Sequence, residues 1–156
     1  MAFTLDREDL VQRLIEAKGR GCEVVVVADR NFTLSGKTRD QLQRLQQLES
    51  NGARVRLASG HSCRDEYTAV GRKYSGKGIV HGKVVHTEQE SIIGSCNWTT
   101  SSRSNVELGL HVVLSKVEAT KVSTMIRQAC DGGQPVGEAA VPVRRQVLPA
   151  GEHERG

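Results

Sequence analysis

At 156 residues the chain can close one hydrophobic core with a tail to spare, and is short for two domains. Aromatic residues are only 3% of it, so that core must rest on Val, Leu, Ile and Ala. The net charge is +4, and no apolar run approaches the roughly 18–20 residues that span a bilayer.

The opening MAFTLDREDL lacks the basic-then-apolar layout of a secretory leader, so a cytoplasmic protein is expected. The triplets NFT and NWT are for the same reason not read as glycosylation sites. Thr4 or Asp6 is placed to cap a first helix carrying Leu10, Val11, Leu14 and Ile15 on one stripe, closed by Gly19 and Gly21. CEVVVVA (22–28) is an unbroken β-branched run, the pattern of a strand covered on both faces. DRNFTLSGKT reads as a loop. A second helix follows from about Thr38, with Leu42, Leu45 and Leu48 at helical spacing, and stops at Asn51-Gly52. ARVRLA (53–58) alternates as a strand, and the polar, basic stretch 59–78 reads as a loop or short helix.

IVHGKVVH (79–86) then reads as a strand, TEQE as a turn and SIIGS as the hairpin partner. WTTSSRS gives a short helix or loop, NVELGLHVVL a further strand, and Lys116 to Cys130 a helix with Val122, Met125, Ile126 and Ala129 on one side. From Asp131 to Gly156 no period survives, so a loosely ordered tail is expected behind a domain of residues 1–130. This order of elements predicts an α/β fold, a mixed β-sheet sandwiched by helices.

Charge is concentrated. Between Arg54 and Lys83 stand seven basic residues against Asp65 and Glu66, a local excess larger than that of the whole chain. Such a face attracts polyanions, nucleic acid first and an anionic lipid surface second. Within it, GRKYSGKG (71–78) offers Arg72, Lys73 and Lys77 to phosphates and Tyr74 to a base, with glycines that permit close approach. Cys22, Cys63, Cys96 and Cys130 form no CxxC pair and read as free thiols, mostly buried. His61 and Cys63 do not have a recognised metal spacing, so no metal or cofactor is expected.

Strand alternation sends His81, Lys83 and Val85 to one face, which joins an imidazole and a permanent cation at one spot. Gly94-Ser95 permits a tight corner from which Ser95 and Asn97 can turn inward. Glu107 and His111 share a face of the later strand by the same alternation.

HGKVVHTE, then GSCNW, then NVE together resemble the signature of the phospholipase D superfamily, the HKD phosphodiesterases. Residues 6 to 130 are covered, including the helix–strand–helix–strand lead-in. In two respects the chain departs from the family pattern. Glu88 stands where an aspartate is usual, and the interval from it to Gly94 is one residue short. The resemblance assigns Glu88 and Gly94 to the architecture of the motif, and His81, Lys83, Ser95, Asn97 and Glu107 to catalysis. It implies a phosphodiester cleaved without a metal: one histidine attacks phosphorus to give a phosphohistidine, and a second protonates the leaving oxygen.

The residue chemistry agrees with those roles. Histidine titrates near neutrality and can serve as nucleophile or general acid. Lys83, Ser95 and Asn97 are suitable donors to non-bridging oxygens, and a carboxylate such as Glu107 on one imidazole nitrogen would set the tautomer.

One motif supplies one such histidine, and family members with a single set form homodimers. His86, on the opposite strand face from His81, and His111, about 13 Å beyond Glu107 at ~3.3 Å per residue, are the alternatives for the second. The reading is therefore a homodimeric phospholipase D-like nuclease. The alternatives are a phosphodiesterase of cardiolipin-like phospholipids and a nucleic-acid-binding module that no longer cleaves. DNA versus RNA, and endo versus exo action, are not legible.

Overall fold

A computed structural model describes residues 1–35, 39–60, 62–65 and 74–139; for 39, 62–65 and 74–77 it describes the backbone alone. Helix α1 (Glu8–Gly19) precedes strand β1 (Val25–Asp29), a short helix α2 (Arg30–Leu34), helix α3 (Arg39–Ser50) and strand β2 (Arg54–Ala58). Strands β3 (Ser62–Asp65) and β4 (Tyr74–Lys77) form a hairpin. Strands β5 (Val84–His86), β6 (Glu90–Gly94) and β7 (Gly109–Val113) form an antiparallel meander interrupted by a 3-10 turn at Ser101–Ser104. Helix α4 (Lys116–Asp131) and strand β8 (Gln134–Pro135) follow.

The expected α/β fold with a mixed sheet is present. β1 and β2 pair in parallel, and β8 adds to β2 in the antiparallel sense. β1 explains its own composition. Val26 and Ala28 join the core cluster with Val11, Leu45 and Leu48 from α1 and α3, while Val27 packs on the other side with Cys130 of α4. Both faces are covered, so no polar alternation is possible.

The first five residues, which the sequence reading placed in no strand, join distant parts of the fold. Ala2 N donates to Val27 O at 2.9 Å, and Val84 N donates to Met1 O at 3.1 Å. Trp98 N donates to Thr4 O and Asp6 N to Trp98 O, both at 3.0 Å. This extended segment therefore joins β1 to β5 and to the loop after β6, making the two three-stranded sheets neighbours.

Several expectations are corrected. α1 has Arg7 as its N-cap residue, without a side-chain cap. Asp6 instead accepts from Thr100 N at 2.7 Å, because the loop after β6 lies within its reach. The loop expected at residues 29–38 contains α2, whose first turn is capped by Asp29. Residues 62–65 and 74–77, expected as loop or helix, are paired strands. The strand expected from Ile79 begins only at Val84. The tail expected from Asp131 is placed as far as Ala139: Gln134 and Pro135 pair with β2 and Val136 is fully buried. Of the cysteines expected to be mostly buried, Cys130 is buried but Cys22 is exposed.

Candidate active site

The site is built at the junction of the N-terminal segment, the 79–83 stretch and the β6–β7 end of the meander. Gly94 makes that end possible. A Cβ there would lie 2.5 Å from the Leu108 carbonyl oxygen, so only glycine lets β6 approach β7 so closely. Gly94 N also donates to Lys83 O at 3.2 Å, which ties the corner to the lysine.

His81 and Lys83 meet although their stretch lies outside any regular strand. His81 is exposed, Lys83 is only 8% exposed, and Lys83 Nζ lies 2.9 Å from His81 Nε2. The ammonium also donates to His81 O at 2.8 Å. With the ammonium as donor, Nε2 is the unprotonated ring nitrogen. The Phe3 ring lies 4.8 Å from the His81 ring, centroid to centroid, and 5.3 Å from Lys83 Nζ. Burial lowers the pKa of Lys83, and the nearby Glu107 carboxylate acts in the opposite sense.

Ser95 Oγ donates to Glu107 Oε2, and Leu108 N donates back to Ser95 Oγ at 3.1 Å. Asn105 Nδ2 donates to Glu107 Oε1 at 3.0 Å. The hydrogen bonds from Ser95 and then Asn105, aided by the charge of Lys83, hold Glu107 below the usual carboxylate range. Asn97 Oδ1 is buried and, among the described residues, has no hydrogen-bond partner. An open acceptor of that kind suits a donor brought by a ligand or a partner chain. Lys83 and Glu107 line one pocket of about 230 Å³, walled by Ile92, Cys96, Trp98 and Leu108. Trp98 also packs against the core cluster.

Not every assignment from the sequence is brought together. Among the described residues no hydrogen bond joins Glu107 to His81; the carboxylate accepts from Ser95 and Asn105 instead. Glu88 sits in the exposed turn between β5 and β6, at the opposite end of the hairpin from Gly94. It lines a separate, open groove beside Lys116 and Arg127 of α4. His86 is occupied on both ring nitrogens, by Ser91 Oγ at 2.8 Å and Ser123 Oγ at 2.9 Å. His111 is exposed on β7, with Nε2 3.6 Å from Glu90 Oε2.

The basic stretch is partly spoken for. Arg54 pairs with Asp131 at 2.6 Å and Arg56 with Glu49 at 3.8 Å. Arg72, Lys73 and His61 lie outside the described residues, as do the side chains of Cys63, Arg64, Tyr74 and Lys77. Phe3 was not singled out from the sequence. The only signal was the brief alternation in MAFTL, where Ala2 and Thr4 are buried and Phe3 faces the site. Among the described residues no three His, Cys, Asp or Glu side chains converge as a metal-holding group, and no helix is long and apolar enough to cross a membrane.

The family model described as "Cardiolipin synthase, PLD-like domain" matches residues 1–128. Nuc from Salmonella typhimurium, a phospholipase D family member, superposes with a TM-score of 0.65 at 19% identity, over 86% of this chain and 77% of that one. NucT from Helicobacter pylori does so with a TM-score of 0.63 at 18% identity, over 86% of this chain and 78% of that one. No curated protein matches the chain.

Proposed function

The chain belongs to the family of phospholipase D-like domains, and from that premise we propose that it is a metal-independent phosphodiesterase acting on nucleic acid as a homodimer. The observation that carries the proposal is the exposed His81 imidazole with Lys83 Nζ at 2.9 Å from its Nε2. Nε2 attacks phosphorus. Lys83 moves from the ring nitrogen to a non-bridging oxygen, and Asn97, with Ser95 once its hydroxyl turns from Glu107, stabilises the charge that spreads there. The bond from phosphorus to the leaving oxygen breaks as a second imidazole donates its proton. Water, deprotonated by that same imidazole, then attacks phosphorus and breaks its bond to Nε2, which frees His81 and the phosphomonoester product.

The second imidazole is His81 of the partner subunit. Two features support a twofold assembly over a monomer. His86 is committed to Ser91 and Ser123. The surface around the pocket exposes large apolar side chains: Ile92 is 54% exposed, Leu108 73% and Val85 39%. Apolar exposure on such a scale beside a polar site suits a subunit interface.

Nucleic acid is favoured as substrate because the basic stretch leads directly into the His81 segment. A phospholipid is the second reading, supported by the apolar wall of Ile92, Trp98 and Leu108 beside Lys83. The test offers DNA, RNA and cardiolipin vesicles to the protein in EDTA, alongside His81→Ala. Cleavage of nucleic acid that survives chelation and is lost in the variant supports the proposal. Turnover of lipid alone favours the second reading. Binding without cleavage by either protein assigns the chain to a binding role.

A further inference from the structure

We infer that Asp29, outside the HKD motif, is a positioning residue for His81. Asp29 is 0% exposed and ends β1. Its carboxylate joins two chain segments. Oδ1 accepts from Phe32 N and caps α2, while Oδ2 accepts from Val80 N, both at 2.8 Å. Val80 immediately precedes His81 in a stretch that no strand ladder holds. Among the described residues, the Val80 amide is the one amide of residues 79–82 with a hydrogen bond. The neighbouring anchors are Gly60 N to Gly78 O at 2.8 Å and Val84 N to Met1 O at 3.1 Å. The carboxylate thus supplies the register that a ladder would otherwise impose. It does so from a strand end whose own partner, Ala58 of β2, is buried.

Both oxygens accept main-chain N–H donors, so the isosteric amide cannot replace the carboxylate. Asp29→Asn keeps one acceptor oxygen and turns an NH₂ group toward the other donor. Asp29→Ser keeps a helix cap for Phe32 N but is too short to reach Val80 N. The second variant therefore separates the tether from the cap.

This inference deepens the proposed function and rests on it for its kinetic readout. The experiment measures turnover of bis(p-nitrophenyl) phosphate and the ring ¹H–¹⁵N resonances of His81, assigned with His81→Ala. A control variant, Ser115→Ala, removes the capping side chain of α4, remote from the site. Asp29→Asn and Asp29→Ser are expected to lower kcat about a hundredfold, the scale of a 1 Å misplacement. KM should stay within about twofold and the His81 ring signals should shift. Ser115→Ala should change neither kcat nor the ring signals. Unchanged kcat in folded Asp29→Ser, or an equal loss in Ser115→Ala, overturns the assignment. If His81→Ala is as active as the parent protein, the proposed function fails. The ring resonances then decide on Asp29 alone, and unshifted signals overturn it.

Discussion

Lys83 Nζ lies 2.9 Å from His81 Nε2 and 5.3 Å from the centre of the Phe3 ring, in a residue only 8% exposed. The lysine is thus held at the imidazole by its surroundings before any substrate arrives. Because burial lowers its pKa, holding it charged costs stability in the folded protein.

Lys83→Met should lower kcat by about 10²–10³-fold, as removal of a transition-state charge partner does. Its stability relative to the parent depends on pH with a definite sign. The unfolded lysine keeps its proton up to its ordinary value of 10.5, above the lowered folded value. Between those values the unfolded chain binds more protons, so the parent gains stability as pH rises through that window. Urea denaturation of both proteins at pH 7 and at stepwise higher pH should show the difference moving in the parent's favour. A pH-independent difference contradicts this account.

His86 and His81 should separate cleanly. His86→Ala removes two hydrogen bonds and leaves Ser91, which is 1% exposed, without its ring partner. A cost of about 1–3 kcal/mol in stability is expected, with kcat within a few-fold of the parent. His81→Ala should abolish turnover and leave the melting temperature almost unchanged, because the residue is exposed. Loss of chemistry in His86→Ala without loss of stability would make His86 the second imidazole.

Gly94→Ala forces a Cβ to within 2.5 Å of the Leu108 carbonyl. The β6–β7 end must shift, at a cost of about 1–3 kcal/mol, and Ser95 and Glu107 must separate with it. Activity should fall further than the stability loss alone explains. The Gly109 partner is the contrast: its added Cβ meets nothing closer than 3.9 Å, so Gly109→Ala should be much milder. Equal effects at the two positions would remove Gly94 from the site's architecture.

The twofold proposal has its own signature. When parent protein and His81→Ala are mixed and allowed to exchange subunits, mixed dimers contain one functional imidazole. Activity should then follow the square of the parent fraction. A linear dependence, measured after exchange is complete, means that each subunit works alone.

Much of this site was legible because its residues are close in sequence and carry rare chemistry. HGK and GSCNW identify themselves by residue type, and the β6 corner needs Gly94 whatever surrounds it. The both-faces burial of β1 was equally plain in CEVVVVA. What stayed hidden depends on contacts distant in sequence. Nothing near Phe3 announces that Met1–Leu5 will bridge β1 and β5, since five residues carry too little periodicity to define a strand. Asp6 looked like a helix cap because capping is judged locally, yet Thr100 claims its carboxylate. Asp29 looked like a loop residue for the same reason, although Val80 lies 51 positions away along the chain. The strand expected from Ile79 fails where a side-chain carboxylate replaces the ladder. The expected Glu107–His81 contact fails because alternation specifies a face and says nothing of which neighbour occupies the carboxylate.

The most direct measurement is of the covalent bond itself. The protein is mixed with a phosphodiester substrate in EDTA, quenched in base, where phosphohistidine survives, and its peptides are weighed. The account predicts a phosphorus-bearing adduct on the His81 peptide, absent from His81→Ala. Steady turnover with no adduct on that peptide, and with the variant still active, would contradict it.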